Sequence, residues 1–511
     1  MRGKSLMFQG TGSSVGKSML CAAVLRILKQ DGLRVAPFKA QNMALNSYAT
    51  SEGLEMGRAQ VTQAEAAGME PTVKMNPVLL KPSSDRRSQV VVNGKPIGTM
   101  SAVEYDAFKP RLREMVKETY DALEDSVDVV VIEGAGSPAE INLKQGDIVN
   151  MAMAKCADAP VILIGDINPG GVFASLYGTV KLLDADEQAR IKGIVINKFR
   201  GDVKILEPGL KMLEDLLGIP VIGVVPWMDI DMEDEDSVTE RFIQRSGQGQ
   251  IKAAIVRLPH ISNFTDFNLL GAEPDVAVSY ITRASEVKDA DIVILPGTKN
   301  TIEDLNWLKQ RGIADEILRH ARRGGMVIGI CGGYQMLGQK LHDPLHVESR
   351  IPEIAGLGLL NFEVTFADGK TTVQAHGNVQ CEDGWLSAHN GLMLDGYEIH
   401  SGVNSFGEGC VPFLYLNGRS EPDGITNAEG NIIGSYLHGI FDTGSFWRAI
   451  VNHVRREKGL DENNAELMTI AQFRDREFDR LAAIVRQNLD MDAVYAIIRG
   501  EEVPCGRWDN D

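Results

Sequence analysis

The sequence predicts an α/β protein with two domains, each built on a largely parallel sheet, followed by a helical C-terminal extension. Short β-branched runs alternate with helix-length segments from residue 5 to about 226. Strands separated by helices favour parallel pairing, because parallel strands need crossover connections. Strand signals return after residue 251, and 511 residues are too many for one ordinary hydrophobic core.

The strand signals and the segments between them set the predicted boundaries. The first domain contains the strand signals LMFQ, RVAPF, DVVVIEGAG, APVILIGD, IKGIVINKF and IPVIGVVP, and the second contains IKAAIVRL, ADIVILPG, GMVIGICGG and NIIGSYLHG. The stretch between the two sets of strands is first acidic and then carries Gly, Gln and Ser, and it lacks apolar periodicity. This composition predicts an exposed linker. A metal site in the acidic run is the less favoured alternative. Apolar residues at three- and four-residue spacing after about residue 447 predict helices packed on the second domain. The predicted parts are a nucleotide-binding domain 1–227, a linker 228–250, a second α/β domain 251–447 and a helical extension 448–511.

Composition narrows the class of partner. The formal net charge of −18 opposes non-specific binding to nucleic acid or to an anionic membrane, so we expect a small-molecule partner. The N-terminus lacks a long apolar signal core, and no apolar run reaches the roughly 18 residues of a membrane span, which favours a cytoplasmic protein. The six cysteines are scattered without a CxxC pair, which fits neither a disulfide framework nor a zinc cluster.

The segment FQGTGSSVGKSML joins the first strand to the first helix, where a phosphate-binding loop is expected. Backbone N–H groups at a helix start and the helix dipole favour an anion, and glycines permit its close approach. Lys17 can reach the outer phosphates and the Ser18 hydroxyl can hold Mg²⁺. The strict pattern requires glycine where this chain has Thr11, between Gly10 and Gly12. The sequence therefore predicts a variant nucleotide loop; a plain glycine-rich turn is the less favoured alternative.

This variant loop resembles that of dethiobiotin synthetase and its relatives, ATP-dependent ligases that activate carboxylates. The strand end VINKF is similar to the adenine-facing strand end of that family. The resemblance implies an ATP site that comprises Thr11, Gly12, Val15, Gly16, Lys17, Ser18 and Asn197.

Three further polar residues lie at predicted strand ends of the first domain. Glu133, in VVVIEGAGSP, falls at the carboxyl edge of a central strand, where a carboxylate can share Mg²⁺ with Ser18. The resemblance places Asp166, in LIGDINPGG, near the nucleotide edge as another metal candidate. Lys39, in VAPFKAQN, can neutralise a phosphate or a substrate carboxylate, although an ordinary surface lysine is an equally favoured interpretation.

The segment GMVIGICGGYQMLG predicts a strand, a sharp turn and a helix, with Cys331 at the turn. Such a nucleophile elbow exposes the sulfur, and the helix N-terminus that follows raises the thiolate fraction. A buried structural cysteine is the usual alternative. His438, 107 residues later in IIGSYLHGIFD, offers a base at a strand end, and the two motifs together favour covalent catalysis. The backbone N–H groups of Gly297 and Gly332 are the predicted oxyanion hole.

The pattern G-[IVL]-C-x-G-x-Q followed by a strand-end histidine resembles the class I glutamine amidotransferases, which form a thioester with glutamine and release ammonia. The resemblance implies that Gln335 helps to hold glutamine. These enzymes commonly carry a glutamate two residues after the histidine, where this chain has Ile440. Without that carboxylate we expect slow basal hydrolysis; Asp442 and Glu398 are the alternatives for orienting the imidazole, and the sequence does not choose between them.

The two modules in this order resemble the cobyrinate-amidating enzymes. Within them, the stretches APFKAQNMALNSYAT, MNPVLLKP, LPHISNFTDFNLL and GYEIHSG are similar to the cobyric acid synthases. The resemblance implies ATP- and glutamine-dependent amidation of the b, d, e and g carboxylates of adenosylcobyrinic acid a,c-diamide, with Mg²⁺. The residues Gln41, Asn42 and Asn46 are candidates to contact this large corrinoid, although amides in such a stretch equally often satisfy turn backbone.

Two rival interpretations remain open. One is another amidotransferase with the same modules, such as a cobyrinate a,c-diamide synthase or a peptidoglycan-precursor amidating enzyme. The other, from a different class, is a regulatory or partitioning P-loop ATPase with an inactive glutaminase-like module. The second requires a dead Cys–His pair, and both residues are present here. The sequence leaves the oligomeric state open.

Overall fold

The structure is a computed structural model that describes residues 3–84, 87–230, 249–273, 275–465, 467 and 469–508. The chain divides into two compact units. The first unit comprises residues up to 43, residues 56–233 and residues from 474 onward, and the second comprises 44–55 and 234–473. Most of the predicted linker, residues 231–248, lies outside the described residues.

The first unit is an α/β layer structure, as the alternation of strands and helices predicts. Up to residue 226 the strands are β1 Lys4–Gly10, β2 Val35–Phe38, β3 Gln41–Met43, β4 Ser47–Ala49, β5 Glu55–Gly57, β6 Val78–Ser84, β7 Arg87–Val92, β8 Lys95–Ser101, β9 Val129–Glu133, β10 Val161–Asp166, β11 Ile191–Phe199 and β12 Val221–Pro226. The helices are α1 Lys17–Gln30, α2 Arg58–Ala67, α3 Ala102–Phe108, α4 Leu112–Glu124, α5 Met151–Cys156, α6 Val172–Lys181, α7 Ala185–Gln188 and α8 Val203–Leu217. Strand β4 and the first residue of β5 belong to the second unit. The predicted strands correspond to β1, β2, β9, β10, β11 and β12.

These strands form a parallel sheet in the order β12-β11-β10-β1-β9-β2. The whole of β9, VVVIE, is buried, as expected for a central parallel strand covered on both faces. Helix α1 packs its apolar side, which includes Leu20, Val24 and Ile27, into the same core as Leu6 and Val131. A smaller sheet, β3-β6-β7-β8, which the sequence analysis did not predict, lies in the same unit.

The second unit carries a longer mixed sheet. Its strands are β13 Ile251–Val256, β14 Val276–Ile281, β15 Ile292–Leu295, β16 Met326–Ile330, β17 Lys340–His342, β18 Glu353–Ala355, β19 Phe362–Val379, β20 Met393–Phe406, β21 Val411–Leu416, β22 Gly424–Thr426 and β23 Ile432–Ser435. The helices that follow residue 250 are α9 Ala284–Val287, α10 Thr301–Gln310, α11 Ile313–Arg322, α12 Gly332–Leu337, α13 Ser445–Glu457, α14 Ile470–Asn488 and α15 Met491–Arg499.

Strand pairing in the sheet of the second unit changes from parallel to antiparallel across the sheet. The order β14-β13-β15-β16-β23 is parallel, and β13, β15, β16 and β23 are the four strands predicted for this domain. Beyond β23 the pairing with β22 and β21 is antiparallel, and β19 and β20 form a long antiparallel hairpin. Strand-by-strand periodicity did not predict this hairpin.

Residues 44–55 belong to the second unit, although the predicted boundary at 227 assigns them to the first domain. Within that unit Lys370 pairs with Glu55 at 2.5 Å, and Gln374 donates to the Ala49 carbonyl. The Tyr48 ring packs edge-on against Tyr397 with centroids 5.0 Å apart. Side-chain contacts with a distant hairpin, rather than proximity in sequence, therefore decide where this segment lies. We call residues 44–55 the inserted segment.

The prediction that the whole C-terminal stretch packs on the second domain is wrong for α15 and for the part of α14 after residue 473. These helices bury Phe478, Leu481 and Val494 in the core of the first unit. Arg26 on α1 also pairs with Asp479 at 2.8 Å. Apolar periodicity predicted the buried face of each helix, but it carries no information about which core accepts that face. Among the described residues, no helix combines the length and apolar character needed to cross a bilayer.

A buried ion pair fastens α13 to the sheet of the second unit. The Arg455 side chain is 2% exposed; its Nε donates to Asp275 at 3.0 Å, and its Nη2 donates to Glu273 at 3.2 Å. The neighbouring Arg456 pairs with Glu462, but both side chains are exposed. Removing one partner of a buried pair leaves an uncompensated charge, whereas an exposed pair contributes little.

We therefore expect Arg455→Ala to lower the free energy of unfolding of the second unit by about 3 kcal/mol, and Arg456→Ala to lower it by less than about 1 kcal/mol. Urea denaturation of both variants, compared with the unmodified chain, measures the difference. Equal shifts of the denaturation midpoint in the two variants would contradict the assignment of Arg455 as the structural anchor of α13.

Candidate active sites in the two units

The phosphate loop of the first unit has the backbone geometry that anion binding needs. Gly16 has φ 99° immediately before α1, a conformation that favours glycine, and a Cβ there would collide with the Asn197 amide. The Lys17 ammonium donates to the carbonyls of Gly12 at 2.8 Å and Gly136 at 3.1 Å, so it lies over the loop. The start of α1 and this cation together form a site for a phosphate group.

Three of the predicted ATP-binding residues, Thr11, Val15 and Asn197, make hydrogen bonds that hold this loop. The Thr11 N–H donates to the Ile164 carbonyl at 3.0 Å, which continues the pairing of β1 with β10. The Asn197 Nδ2 donates to the Val15 carbonyl at 2.9 Å, and Val15 is buried. Asn197 therefore braces the loop from the end of β11. Its buried Oδ1 has no hydrogen-bond partner within the described residues.

Glu133 is the centre of a compact polar cluster at the end of β9. Its side chain is fully buried, and its Oε1 accepts from the Ser18 hydroxyl at 2.8 Å and from the Lys39 ammonium at 2.9 Å. Its Oε2 accepts from the Gln63 amide at 2.5 Å. The predicted residues Ser18, Lys39 and Glu133 thus meet at one point, and Gln63, on α2, joins them although its sequence position gave no signal.

Asp166 lies away from this cluster. Phe8 pairs with both Glu133 and Ile162, so Asp166 is two strands away and four residues further along. These separations correspond to about 10 Å across the sheet and about 13 Å along it. Asp166 instead pairs with Lys198 at 2.9 Å. The geometry therefore does not bring Asp166 to the ion that Ser18 and Glu133 would share, and among the described residues no three His, Cys, Asp or Glu side chains group as a metal site.

The three amides considered for the corrinoid make different contacts. In the first unit, Tyr105 donates to the Gln41 Oε1 at 2.7 Å, and the Asn42 Nδ2 donates to the Gln60 Oε1 at 2.9 Å. In the second unit, Asn46 of the inserted segment is buried, and its Oδ1 accepts from the Asn263 N–H at 2.7 Å. The Asn46 contact matches the alternative in which the amide satisfies turn backbone.

The predicted elbow is present in the second unit. Cys331 follows β16 and precedes α12 with φ 51° and ψ −109°, a strained conformation for a residue with a side chain. Its N–H donates to the Ser435 carbonyl at 2.9 Å, and its carbonyl accepts from the Gln335 N–H at 3.0 Å. Backbone bonds on both sides of the turn therefore hold Cys331 in this conformation.

His438 lies in the same buried site as Cys331. Its main chain exchanges hydrogen bonds with Tyr397, at 3.1 Å and 2.9 Å, and its ring stacks on the Tyr397 ring with centroids 5.3 Å apart. The His438 Nδ1 lies 2.7 Å from the Oδ2 of Asp266, and both side chains are buried. The second oxygen of Asp266 accepts from the Gly439 N–H at 3.0 Å.

The charges around His438 favour its protonated form. Burial opposes the charged ring, but the Asp266 carboxylate and the Cys331 thiol, both close enough to hydrogen-bond the ring, raise the pKa of His438 to about 10. The imidazole is therefore protonated at neutral pH. A protonated ring beside a thiol stabilises the thiolate, which is the nucleophilic form of cysteine.

The predicted oxyanion-hole glycines lie in tightly packed surroundings next to His438 and Thr298. A Cβ at Gly297 would lie 2.9 Å from the His438 Cε1, and a Cβ at Gly332 would lie 2.7 Å from the Thr298 Cγ2. The Thr298 hydroxyl is fixed in turn by Asp304 at 2.5 Å. Only glycine leaves room at these two positions, so the loop after β15 can lie against the elbow.

Gln335 is buried beneath the elbow. Its Oε1 accepts from the Thr301 hydroxyl at 2.9 Å, and its Nε2 donates to the Tyr436 hydroxyl at 3.3 Å. Both ends of this amide are thus engaged by the protein. Its side chain is positioned to order the helix that follows Cys331.

Glu398 and Asp442, the two residues considered as replacements for the missing glutamate, both make contacts within the second unit. Glu398 is fully buried and forms a two-pronged pair with Arg419. The main chain of Asp442 donates to the Gly439 carbonyl at 2.8 Å. The carboxylate at His438 is that of Asp266, which the sequence analysis missed. One signal was available: an aspartate flanked by aromatic residues in NFTDFN is an unusual environment for an exposed acid.

Both units of the chain match known protein families. Residues 6–237 match the CobQ/CobB/MinD/ParA nucleotide binding domain, and residues 252–446 match the CobB/CobQ-like glutamine amidotransferase domain. The cobyric acid synthase of Alkaliphilus metalliredigens is 53% identical over 508 residues, which cover 97% of this chain and 100% of that protein. The chain belongs to the cobyric acid synthase family. The cobyric acid synthase of Salmonella agona is likewise 53% identical, over 98% of this chain and 99% of its own length.

As a member of the cobyric acid synthase family, the chain is an ATP-dependent glutamine amidotransferase. Among solved structures, PurLQS from Thermotoga maritima is 18% identical, with a TM-score of 0.32, over 40% of this chain and 99% of that one. The family places a nucleotide-binding module first and a glutaminase-like module second, which is the order predicted from the two motifs.

Proposed function

We propose that the chain amidates the b, d, e and g carboxylates of adenosylcobyrinic acid a,c-diamide, with one glutamine and one ATP consumed for each amide. The observation that carries this proposal is the near-full-length similarity to cobyric acid synthases, in a chain that also has a phosphate loop and a Cys–His site. A carboxylate is a poor electrophile and needs activation before an amine can displace oxygen from it. A nucleotide site and a source of ammonia in one chain meet both needs.

In the second unit, the Cys331 thiolate attacks the side-chain amide carbon of glutamine, and the C–N bond breaks to leave a thioester. His438, as the imidazolium, gives its proton to the departing nitrogen, which leaves as ammonia. Water, deprotonated by the neutral imidazole, then hydrolyses the thioester to glutamate. The N–H groups at Gly297 and Gly332 are proposed to stabilise the oxyanion in both steps, and Gln335 to hold the helix against which glutamine binds.

In the first unit, a substrate carboxylate attacks the γ-phosphorus of ATP, which forms an acyl phosphate and releases ADP. Ammonia then adds to the acyl carbon, and phosphate leaves with the former carboxylate oxygen. Lys17 is proposed to neutralise the transferring phosphoryl group, and Lys39 the carboxylate. Ser18 and Glu133 supply oxygen donors of the kind Mg²⁺ prefers; when bound, Mg²⁺ would neutralise charge on the phosphates.

The remaining predicted residues receive more specific proposals. Asn197 braces the loop and offers its buried Oδ1 toward the adenine side, whereas Asp166 is proposed to hold Lys198 rather than the metal ion. Gln41 and Asn42 are proposed to face the corrinoid. Asn46, because it is tied to Asn263, is proposed to position the protein rather than the substrate.

Incubation with glutamine, ATP, Mg²⁺ and the a,c-diamide, followed by mass spectrometry, tests the function. We expect four successive amidations, with ADP and glutamate formed in equal amounts to the amides. A parallel incubation with cobyrinic acid that gains amides only at the a and c positions, with no amidation of the a,c-diamide, would instead identify a diamide synthase. Nucleotide hydrolysis without any glutamine consumption would indicate a regulatory ATPase.

A further inference from the structure

Asp266 contacts the His438 ring, as the glutamate of a glutaminase triad usually does, but this chain lacks that glutamate. Ile440 occupies the position two residues after His438, and its side chain is buried and apolar. Asp266 lies in a 3-10 turn, Phe264–Phe267, and is 172 residues before His438 in the sequence. Two bonds fix its carboxylate, one to the His438 ring and one to the Gly439 N–H.

We propose that Asp266 is the positioning residue of the glutaminase site: it orients the His438 ring and stabilises its protonated form, in place of the absent glutamate. The inference rests on the proposed glutaminase role of Cys331 and His438. The bonds of Asp266 run to the His438 ring and the Gly439 N–H, so the proposed action of Asp266 is through the imidazole. The hydrogen bond from the Gly439 N–H holds the Asp266 carboxylate, and the carboxylate in turn holds the ring so that Nδ1–H faces the carboxylate and Nε2 faces the thiol.

The inserted segment holds this turn in place. Asn263, immediately before the turn, has φ 52°, and its N–H donates to the Asn46 Oδ1 at 2.7 Å. The Asn263 side chain in turn accepts from the Ser47 N–H at 3.1 Å. A strained residue pinned by two reciprocal hydrogen bonds fixes the direction of the chain that enters the turn. Asn46 is therefore a second positioning residue, one step further from the chemistry.

Asp266→Asn is the sharpest test, because the asparagine Oδ1 can still accept from the Gly439 N–H. Its amide must then donate to the His438 Nδ1, which moves the imidazole proton to Nε2, where it can no longer accept the thiol proton. We expect kcat for glutamine hydrolysis to fall by roughly 10²-fold or more. We expect KM for glutamine and the rate of ammonia-dependent amidation to change by less than about twofold.

A pH profile separates this role from a structural one. The side chains of Asp266 and Cys331 and the stacked ring of Tyr397 face the His438 ring. Burial opposes the charged ring, but Asp266 and Cys331 raise the pKa of His438 to about 10. Iodoacetamide modification of Cys331, followed by peptide mass spectrometry between about pH 6 and 9, compares the reactivity of the thiol in the two proteins. In Asp266→Asn the ring beside the thiol loses the carboxylate that stabilises its charge, so we expect slower modification at neutral pH than in the unmodified chain. The exposed Cys505 is the internal standard.

Asp275→Asn is the matched control, because it also removes a carboxylate from an ion pair in the second unit. Asp275 precedes the amino end of β14, whereas Cys331 follows the carboxyl end of β16. We expect this control to lower stability without changing kcat. Asn46→Ala should lower kcat about three- to tenfold at unchanged KM, because it loosens the turn without removing the carboxylate.

The outcomes distinguish the two levels of the proposal. If Cys331→Ala still hydrolyses glutamine, the proposed function fails. If that variant is inactive but Asp266→Asn keeps kcat within twofold and an unchanged alkylation profile, only the inference is overturned. Should Asp266→Asn fail to fold, the unmodified chain must show a strongly downfield proton resonance that His438→Ala lacks; its absence overturns the inference.

Discussion

Cys331→Ala is expected to abolish glutamine-dependent amidation, with a loss of roughly 10³-fold or more in kcat, while ammonia-dependent amidation stays within about twofold of the unmodified chain. The substitution removes the sulfur that is proposed to form the thioester, but it leaves the loop before α1 and the Glu133 cluster intact. Alanine at φ 51° bears a strain similar to that of cysteine, so the elbow should keep its shape. Rates of amide formation with glutamine or with ammonium chloride measure the two activities.

Cys381→Ala is the matched control for this experiment. Cys381 is also a buried thiol of the second unit, and its Sγ donates to the Asp383 carbonyl at 3.1 Å, away from His438. We expect glutamine-dependent amidation in this variant within about twofold of the unmodified rate. Loss of the ammonia-dependent rate in Cys331→Ala would contradict the assignment of separate chemistry to the two units.

Lys17→Ala is expected to show the converse pattern. Amidation should fall by roughly 10²-fold or more with either nitrogen source, because no other side chain of the loop supplies a cation to the outer phosphates. Hydrolysis of glutamine measured without ATP should change little. Simultaneous assays of ADP, glutamate and amide release distinguish the two reactions.

Lys29→Ala tests whether any lysine of α1 has this effect. Lys29 lies exposed in the last turn of the same helix, where it can contribute only a small interaction with the helix dipole. We expect amidation close to that of the unmodified chain. Lys17→Ala with normal ammonia-dependent amidation would place phosphate activation elsewhere in the protein.

In both sites the central turn is encoded locally in the sequence. The phosphate loop and the elbow are each encoded within about ten consecutive residues, because a glycine or a strained residue between a strand and a helix fixes the turn directly. Lys17, Ser18 and Cys331 were therefore predictable, as were the strands that precede them. Glu133 was predictable for a related reason, since it ends a run of buried β-branched residues at the edge of the sheet.

Other contacts depend on which distant segments meet. The sequence analysis left Asp442 and Glu398 open as partners of His438, whereas the carboxylate 2.7 Å from the His438 Nδ1 is that of Asp266. Asp266 reaches it from the opposite end of the unit in sequence, because the loop after β13 lies beside the loop after β23. Gln63 joins Glu133 for the same kind of reason, through the packing of α2.

The sequence by itself determined the two-module α/β plan, the strand–turn–helix at Cys331, the glycine-bearing turn before α1 and the family. Each is encoded in contiguous residues whose backbone preferences and periodicity act locally. The tertiary structure alone decided that the inserted segment joins the second unit, that the terminal helices join the first, and that Asp266 pairs with His438. Those outcomes follow from complementary buried surfaces and hydrogen bonds between remote segments. The free energy of such contacts depends on how well the two buried surfaces fit and on which groups form hydrogen bonds across them. No local sequence pattern specifies either property.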